Sequence, residues 1–359
     1  MAVTRHLRRS ALLLSLAALG VATAACGTSS TGSGAGAGAS GTAPGASQPS
    51  GTPTALPTAT TAEGLKAKRE YRLAVLFPNA GDPYFQQKAY GYRDEAAKTG
   101  VKVEFFDAGG YANIEKQISQ IENATQQKFD AIAIAVTSST ATVPALEAAQ
   151  QAGVLVVGDG VFPESKKVLK RGEDSELAGY QAGTYLCSSV KEGSVGLLLG
   201  PPGIDLIRLR EEGVRKALAS CPTVTVAKAL HNLSDLPASL QAAENVLQAD
   251  PNVKGFYAFN SVVGQAVVQS LKSAGKSPGE VQVATVDLDP DLEAMMKQGW
   301  VQETSVAGSV LLGRVVVDTV VEKLNGQDVA QEAYLVPKVV TKDTLGSFDR
   351  SILYPPAGQ

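Results

Sequence analysis

Two histidines, His6 and His231, and three cysteines, Cys26, Cys187 and Cys221, are the only imidazoles and thiols in 359 residues. That scarcity excludes HExxH zinc sites and multi-histidine metal centres. A Ser-His-Asp triad would have to use His231, which stands in the polar stretch HNLSD. No nucleophile elbow occurs anywhere in the chain. There is no Walker A sequence. GAGASG (36–41) matches GxGxxG only in form, because no strand precedes it and no helix follows it. No catalytic residue, metal site or cofactor is therefore expected, and the chain reads as a non-enzyme. Carboxylate-only catalysis by Asp159 and Asp287 is the enzymatic alternative; hydrogen bonding to a polar ligand outweighs it.

The remaining candidates are polar and aromatic residues just beyond apolar runs. Asp82, Tyr84 and Phe85 follow RLAVLF. Thr137 and Ser138 follow DAIAIAV, Asp159 follows VLVV, Asn260 follows VKGFYAF, and Asp287 follows VQVATV. Those runs, with VKVEFF, SVGLLLG and TVTVAKAL, read as strands. Helical patterns lie between them, such as Phe85, Ala89, Tyr92 and Ala96, then Ile114, Ile118 and Ile121. Another pattern, 310–324, ends at Asn325-Gly326, a C-terminal stop. Several strands are apolar throughout, as in parallel sheets covered on both faces. About ten strands over roughly 290 residues exceed one sheet, so the expected fold is α/β, with two doubly wound parallel-sheet lobes. In such sheets ligands bind beyond the carboxyl ends of the strands, where these polar residues gather.

Local roles compete with ligand contact at several positions. Asp82-Pro83 is a helix start, with an N-cap and a proline at the first helical position. Tyr84 and Phe85 cannot both face one way on a helix, so one packs inward and Tyr84 is favoured at the ligand. Asp289-Pro290 is a better cap than Asp287, which leaves Asp287 for ligand hydroxyls. Asn260 can cap the segment after it, and Ser175 reads equally well as a cap before ELAGY.

The N-terminus sets the compartment. Arg5, Arg8 and Arg9 precede ALLLSLAALGVA, an apolar core too short to span a bilayer. TAAC (23–26) then resembles the lipobox of bacterial lipoproteins, with Thr23 where an aliphatic residue is usual and Cys26 as the lipidated residue. Ordinary cleavage at the Ala-Thr-Ala site is the alternative. Residues 27–62 are Gly, Ser, Thr, Ala and Pro almost exclusively and carry no charge. Such a segment reads as a disordered tether reaching roughly 35 Å. A formal net charge of −3 argues against nucleic-acid binding. In an oxidising compartment Cys187 and Cys221 form either a disulfide or two buried thiols.

DPYF (82–85), VVGDG (156–160), GIDLIRLREEGV (203–214), FYAFN (256–260) and ATVDLDPD (284–291), in this order, are similar to type I periplasmic solute-binding proteins of the ribose-binding kind. LKAKREYRLAVLFP (65–78) and DAGGY (107–111) are similar to the TorT-like branch, whose namesake binds trimethylamine N-oxide and partners a sensor kinase. Tyr84, Phe85 and Tyr111 match aromatic cleft positions of that branch, whereas Ser175 and Asp287 stand where it has two further aromatics. Asp159, Arg208, Asn260 and Asp287 fall where ribose-type proteins place polar contacts. Gly160 and Ala307 stand where those proteins often carry Arg and Gln.

The resemblance implies two lobes joined by a three-strand hinge near 170–173, 307–308 and 334–337. A signal peptide (1–25) and a lipid-anchored tether (26–64) would precede the N-terminal lobe (65–172 plus 308–335) and the C-terminal lobe (173–307 plus 336–359). It implies a monomer, lipid-anchored on the extracellular face of the cell membrane, that binds a small polar ligand, a sugar or polyol, for an ABC permease and ATPase. The alternative is a sensor working with a membrane histidine kinase.

Overall fold

A computed structural model describes residue 56, residues 58–233 and residues 235–356. The leader, Cys26 and most of the tether lie outside the described residues.

The first lobe begins β1 (Tyr71–Phe77), α1 (Pro83–Thr99), β2 (Val101–Asp107), α2 (Ile114–Gln126), β3 (Ala131–Ile134), α3 (Val143–Gln151), β4 (Leu155–Asp159) and β5 (Leu169–Glu173). The second runs α4 (Ser175–Val190), β6 (Gly193–Leu198), α5 (Asp205–Leu218), β7 (Val224–Leu230), α6 (Leu236–Ala249), β8 (Val253–Ala258), α7 (Ser261–Ser273), β9 (Gln282–Val286), α8 (Pro290–Lys297) and β10 (Glu303–Val306). The chain returns to the first lobe for α9 (Ser309–Leu324) and β11 (Glu332–Leu335), then adds β12 (Lys338–Thr341) to the second.

Each lobe holds a six-stranded sheet, ordered β11-β5-β4-β3-β1-β2 and β12-β10-β9-β8-β6-β7. β3 is buried at every residue, as helices on both faces require. The edge strands β2 and β7 mix buried with exposed positions. Among the described pairs only β12 with β10 is antiparallel. Four strands escape the pattern reading: LKRGE, ETSV, EAYL and KVVT. They are four or five residues long and carry charges or hydroxyls, so no apolar run marks them.

These short strands sit where the chain passes between lobes: from β5 to α4, from β10 to α9, and from β11 to β12. Asp174 donates its N–H to Leu335 O at 3.0 Å and caps α4 through Leu177 N. Gln181 accepts from Ser305 Oγ at 2.9 Å and donates to Pro337 O at 3.0 Å. The three crossings are thus tied laterally.

Two helix pairs touch backbone to backbone. A Cβ on Gly179 would lie 2.0 Å from Arg210 O, and one on Gly213 would lie 2.1 Å from Glu176 O. Only glycine lets α4 and α5 approach this closely, and the approach holds Arg210 against the first crossing. Gly91 and Gly313 do the same for α1 and α9.

The end of the tether departs from the expected disorder. Thr58 bridges to Tyr334 in parallel, Ala59 N donates to Tyr334 O at 2.8 Å, and Ala62 N donates to Asp318 at 2.8 Å. The unpaired edge of β11 offers those backbone groups, and Ala59 is buried there. In the second lobe Cys187 on α4 and Cys221 after α5 are paired, with Cα atoms 5.8 Å apart, a usual disulfide separation.

Candidate functional site

A cavity opens between the lobes at the carboxyl ends of β1, β8 and β9. Its first-lobe wall begins at Asp82. The Asp82 backbone is extended, and its Oδ1 accepts from Tyr84 N at 2.9 Å, so it caps α1 as its sequence demands. Starting the helix there divides the two aromatics. Phe85 points inward and packs on Phe77 at 5.0 Å between centroids. Tyr84 is half-buried, edge-on to Phe85, and lines the cavity. Tyr111 joins this wall from the loop after β2, where Gly110 N donates to Pro78 O.

The opposite wall carries Arg210, Phe259, Asn260 and Asp287. Asn260 caps α7 through Val263 N at 2.9 Å and still lines the cavity. Asp287 has φ 69°, the left-handed region that Asp tolerates better than most residues. Two groups of β10 hold it there. Its N–H donates to Ser305 O at 3.0 Å, and its carbonyl accepts from Thr304 Oγ1 at 2.5 Å.

Arg210 is almost fully buried. Its Nε donates to Glu173 Oε1 at 3.1 Å, its Nη2 also meets Glu173, and its Nη1 donates to Phe259 O. Asp287 Oδ1 lies 3.6 Å from Nη2, an ionic approach longer than a hydrogen bond. Burial opposes the Arg210 charge, but the Glu173 and Asp287 carboxylates more than reverse that and hold its pKa above the ordinary value. Desolvation pushes Asp287 up to about 7; Arg210 opposes the rise, and the charges of Glu173 and Asp82 add to it. Asp82 is pushed up to about 6 by desolvation, against the Tyr84 N–H and with the help of Asp289. The Tyr84 phenol stays protonated well above its usual range, because burial and the surrounding carboxylates both oppose its ionisation.

The structure therefore brings Asp82, Tyr84, Phe85, Tyr111, Asn260 and Asp287 to one cavity. Two expected contacts are elsewhere. Arg208 faces solvent, pairing with Asp205 and with Glu212 at 2.7 Å. The cleft arginine is Arg210, two residues on and about 200° round the helix. The buried stripe Ile207, Arg210, Val214 and Ala217 shows it, and that helical spacing was readable in the sequence. Asp159 is wholly buried and already satisfied, by Lys88 Nζ at 2.9 Å and Tyr92 Oη at 2.8 Å. A Cβ on Gly160 would meet Lys88 Nζ at 3.2 Å and Tyr84 Oη at 3.3 Å, so this lysine occupies the space that a side chain there would need. Ser175 lies off the main cavity, and the cap of α4 is Asp174. His231 pairs with Glu211 at an exposed position.

Glu173, Lys88, Arg210 and Phe259 are the residues that pattern reading missed. Glu173 sits in the charged stretch LKRGEDSE and Lys88 in the polar stretch FQQKAY, and both look like solvated surface until the fold buries them.

The sequence profile of the periplasmic binding protein domain matches residues 73–328. The ribose import binding protein RbsB of Bacillus subtilis (strain 168) is 28% identical over 264 residues, 73% of this chain and 84% of that protein. The periplasmic protein TorT of Escherichia coli (strain K12) is 28% identical over 276 residues, 76% of this chain and 78% of that protein. An ABC transporter solute-binding protein from Burkholderia graminis C4D1M, solved in complex with D-arabinose, superposes with a TM-score of 0.73 at 28% identity. It covers 79% of this chain and 99% of its own. None of these three proteins is named as an enzyme.

Proposed function

This chain belongs to the family of periplasmic binding proteins, and on that premise we propose that it captures a small polar ligand, a sugar or polyol, between its lobes for delivery to an ABC importer. One observation carries the reading. Tyr84 on one lobe and the Arg210–Asp287 pair on the other face the same cavity. A flat phenol suits the C–H face of a sugar ring, while a carboxylate, a guanidinium and the Asn260 amide suit its hydroxyls.

Because the contacts are divided between lobes, a ligand stabilises the closed arrangement over any open one, and the crossings at 174, 307–308 and 336–337 act as the hinge. Besides Glu173–Arg210, direct contacts between the lobes include Gln87 Nε2 donating to Leu288 O at 3.0 Å and Asp205 N donating to Ser139 Oγ at 3.4 Å. The protein works as a monomer tethered outside the cell membrane through a lipid on Cys26. Calorimetry across sugars and polyols tests binding; silence across the panel removes the reading. A mature N-terminus without a diacylglyceryl mass removes the anchor.

The TorT relative and the aromatic trio Tyr84, Phe85 and Tyr111 favour a second reading, a ligand sensor for a membrane histidine kinase. Ligand-dependent stimulation of permease ATPase activity in proteoliposomes supports import, and ligand-dependent change in kinase autophosphorylation supports sensing.

A further inference from the structure

We propose, resting on the inter-lobe cleft as the binding site, that the ligand carries a positive charge: a protonated amine on a hydroxylated skeleton, an amino sugar or amino polyol. The balance of charge at the cavity points to this. Asp82, Asp287 and Arg210 are its ionisable lining groups apart from the phenols of Tyr84 and Tyr111. Arg210 is already committed to Glu173, with both side chains only 3% exposed. That pair is neutral as a unit, and Asp287 reaches the guanidinium only at 3.6 Å. The other nearby cation, Lys88, is consumed by Asp159 behind Tyr84. Asp289 adds a further carboxylate beside Asp82, turned to cap α8 and bonded to Gln265 at 2.9 Å. Asp82 and Asp287 therefore face the cavity from opposite lobes, and with Glu173 they set three carboxylates against the single guanidinium of Arg210.

Closing the cleft over a neutral sugar would strip water from two carboxylates that repel each other, which is costly unless protons neutralise them. Their elevated proton affinities are the signature of that conflict. An ammonium between them resolves it and accounts for both acids. It also explains the aromatic lining: Tyr84, Tyr111 and Phe259 present rings to the cavity, and ring faces attract cations. Asn260 and the phenols remain for hydroxyls, which is why a hydroxylated amine fits better than a simple alkylammonium.

Matched pairs of probes test this by calorimetry on the mature protein near neutral pH: N-methyl-D-glucamine against D-sorbitol, D-glucosamine against D-glucose, and the corresponding galactose and mannose pairs. In at least one pair the amine is expected to bind about tenfold or more tightly. Asp82→Asn and Asp287→Asn should each reduce that advantage about tenfold. Asn serves as an N-cap and tolerates the left-handed region, so both variants keep the fold, and a thermal melt verifies it. Neutral members binding as tightly as the amines would overturn the cationic ligand and leave the cleft reading standing. No binding by either member of any pair would overturn both.

Discussion

Glu173, the last residue of β5, and Arg210, on α5, form a buried ion pair across the first crossing between lobes, with Nε and Oε1 3.1 Å apart. The pair aims the guanidinium at the cleft and links hinge to site. Glu173→Gln should cost about 1–3 kcal/mol, less than most broken buried pairs, because Asp287 can move to take up the charge. Ligand affinity should fall about tenfold or more as Arg210 turns toward Asp287. Denaturant unfolding and calorimetry on the same variant separate the two effects; unchanged affinity would remove the positioning role.

Asp159 behaves as a structural residue. Asp159→Asn leaves the Lys88 ammonium fully buried without its counter-charge, so the expected loss is about 3–5 kcal/mol in urea unfolding. The double variant Lys88→Met, Asp159→Asn should recover part of that stability. A single variant of wild-type stability with lost binding would return Asp159 to the ligand contacts.

The adjacent aromatics should separate cleanly. Phe85→Ala opens the core against Phe77 and should destabilise by about 3–5 kcal/mol. Tyr84→Ala should cost less stability but weaken ligand binding about tenfold. The reverse assignment of losses would mean that α1 starts in a different register.

Four desolvated carboxylates, the buried Glu303 and Asp318 and the cavity-lining Asp287 and Asp82, should make stability fall as pH rises. Desolvation pushes Glu303 up to about 8, with only a Ser305 hydrogen bond opposing, and it pushes Asp318 and Asp287 up to about 7 and Asp82 up to about 6. Unfolded, each titrates near about 4. Between those limits the native state binds more protons than the unfolded state, so their contribution is complete below about pH 4 and is lost by about pH 8. The melting temperature of the ligand-free protein should drop from about pH 5 to about pH 8, and Glu303→Gln should flatten the upper part of that slope. A melting temperature that rises over this window would contradict the burial of these groups.

Reduction of the Cys187–Cys221 bridge frees a loop with a sequence separation of 34. Loss of about 3–4 kcal/mol is expected for the Cys187→Ser, Cys221→Ser variant. A free-thiol assay on the unfolded, unreduced protein should find neither cysteine reactive.

Features that depend on chain neighbours were open to reading. Asp82-Pro83 had to start a helix, and that start forces Tyr84 and Phe85 apart. The apolar runs had to be covered strands, with Asn260 and Asp287 just beyond their ends. Of the two arginines on one helix, Arg208 faces solvent and Arg210 lines the cavity, as the buried stripe through Ile207 and Val214 indicates. The strands LKRGE and ETSV left no local mark, because their burial comes from the lobes around them.

Strand–helix alternation, helix starts and the clustering of polar residues at strand ends follow from the sequence by itself, since periodicity and capping are interactions among residues a few positions apart. Tertiary structure alone decided which charges meet. Lys88 finds Asp159 across 71 positions and Arg210 finds Glu173 across 37. Pairing and desolvation depend on distance through space and on what excludes water, and neither is written in local order. Those pairings leave the cleft with more carboxylates than cations, since Arg210 is shared between Glu173 and Asp287 and Asp82 has no ion-pair partner among the described residues.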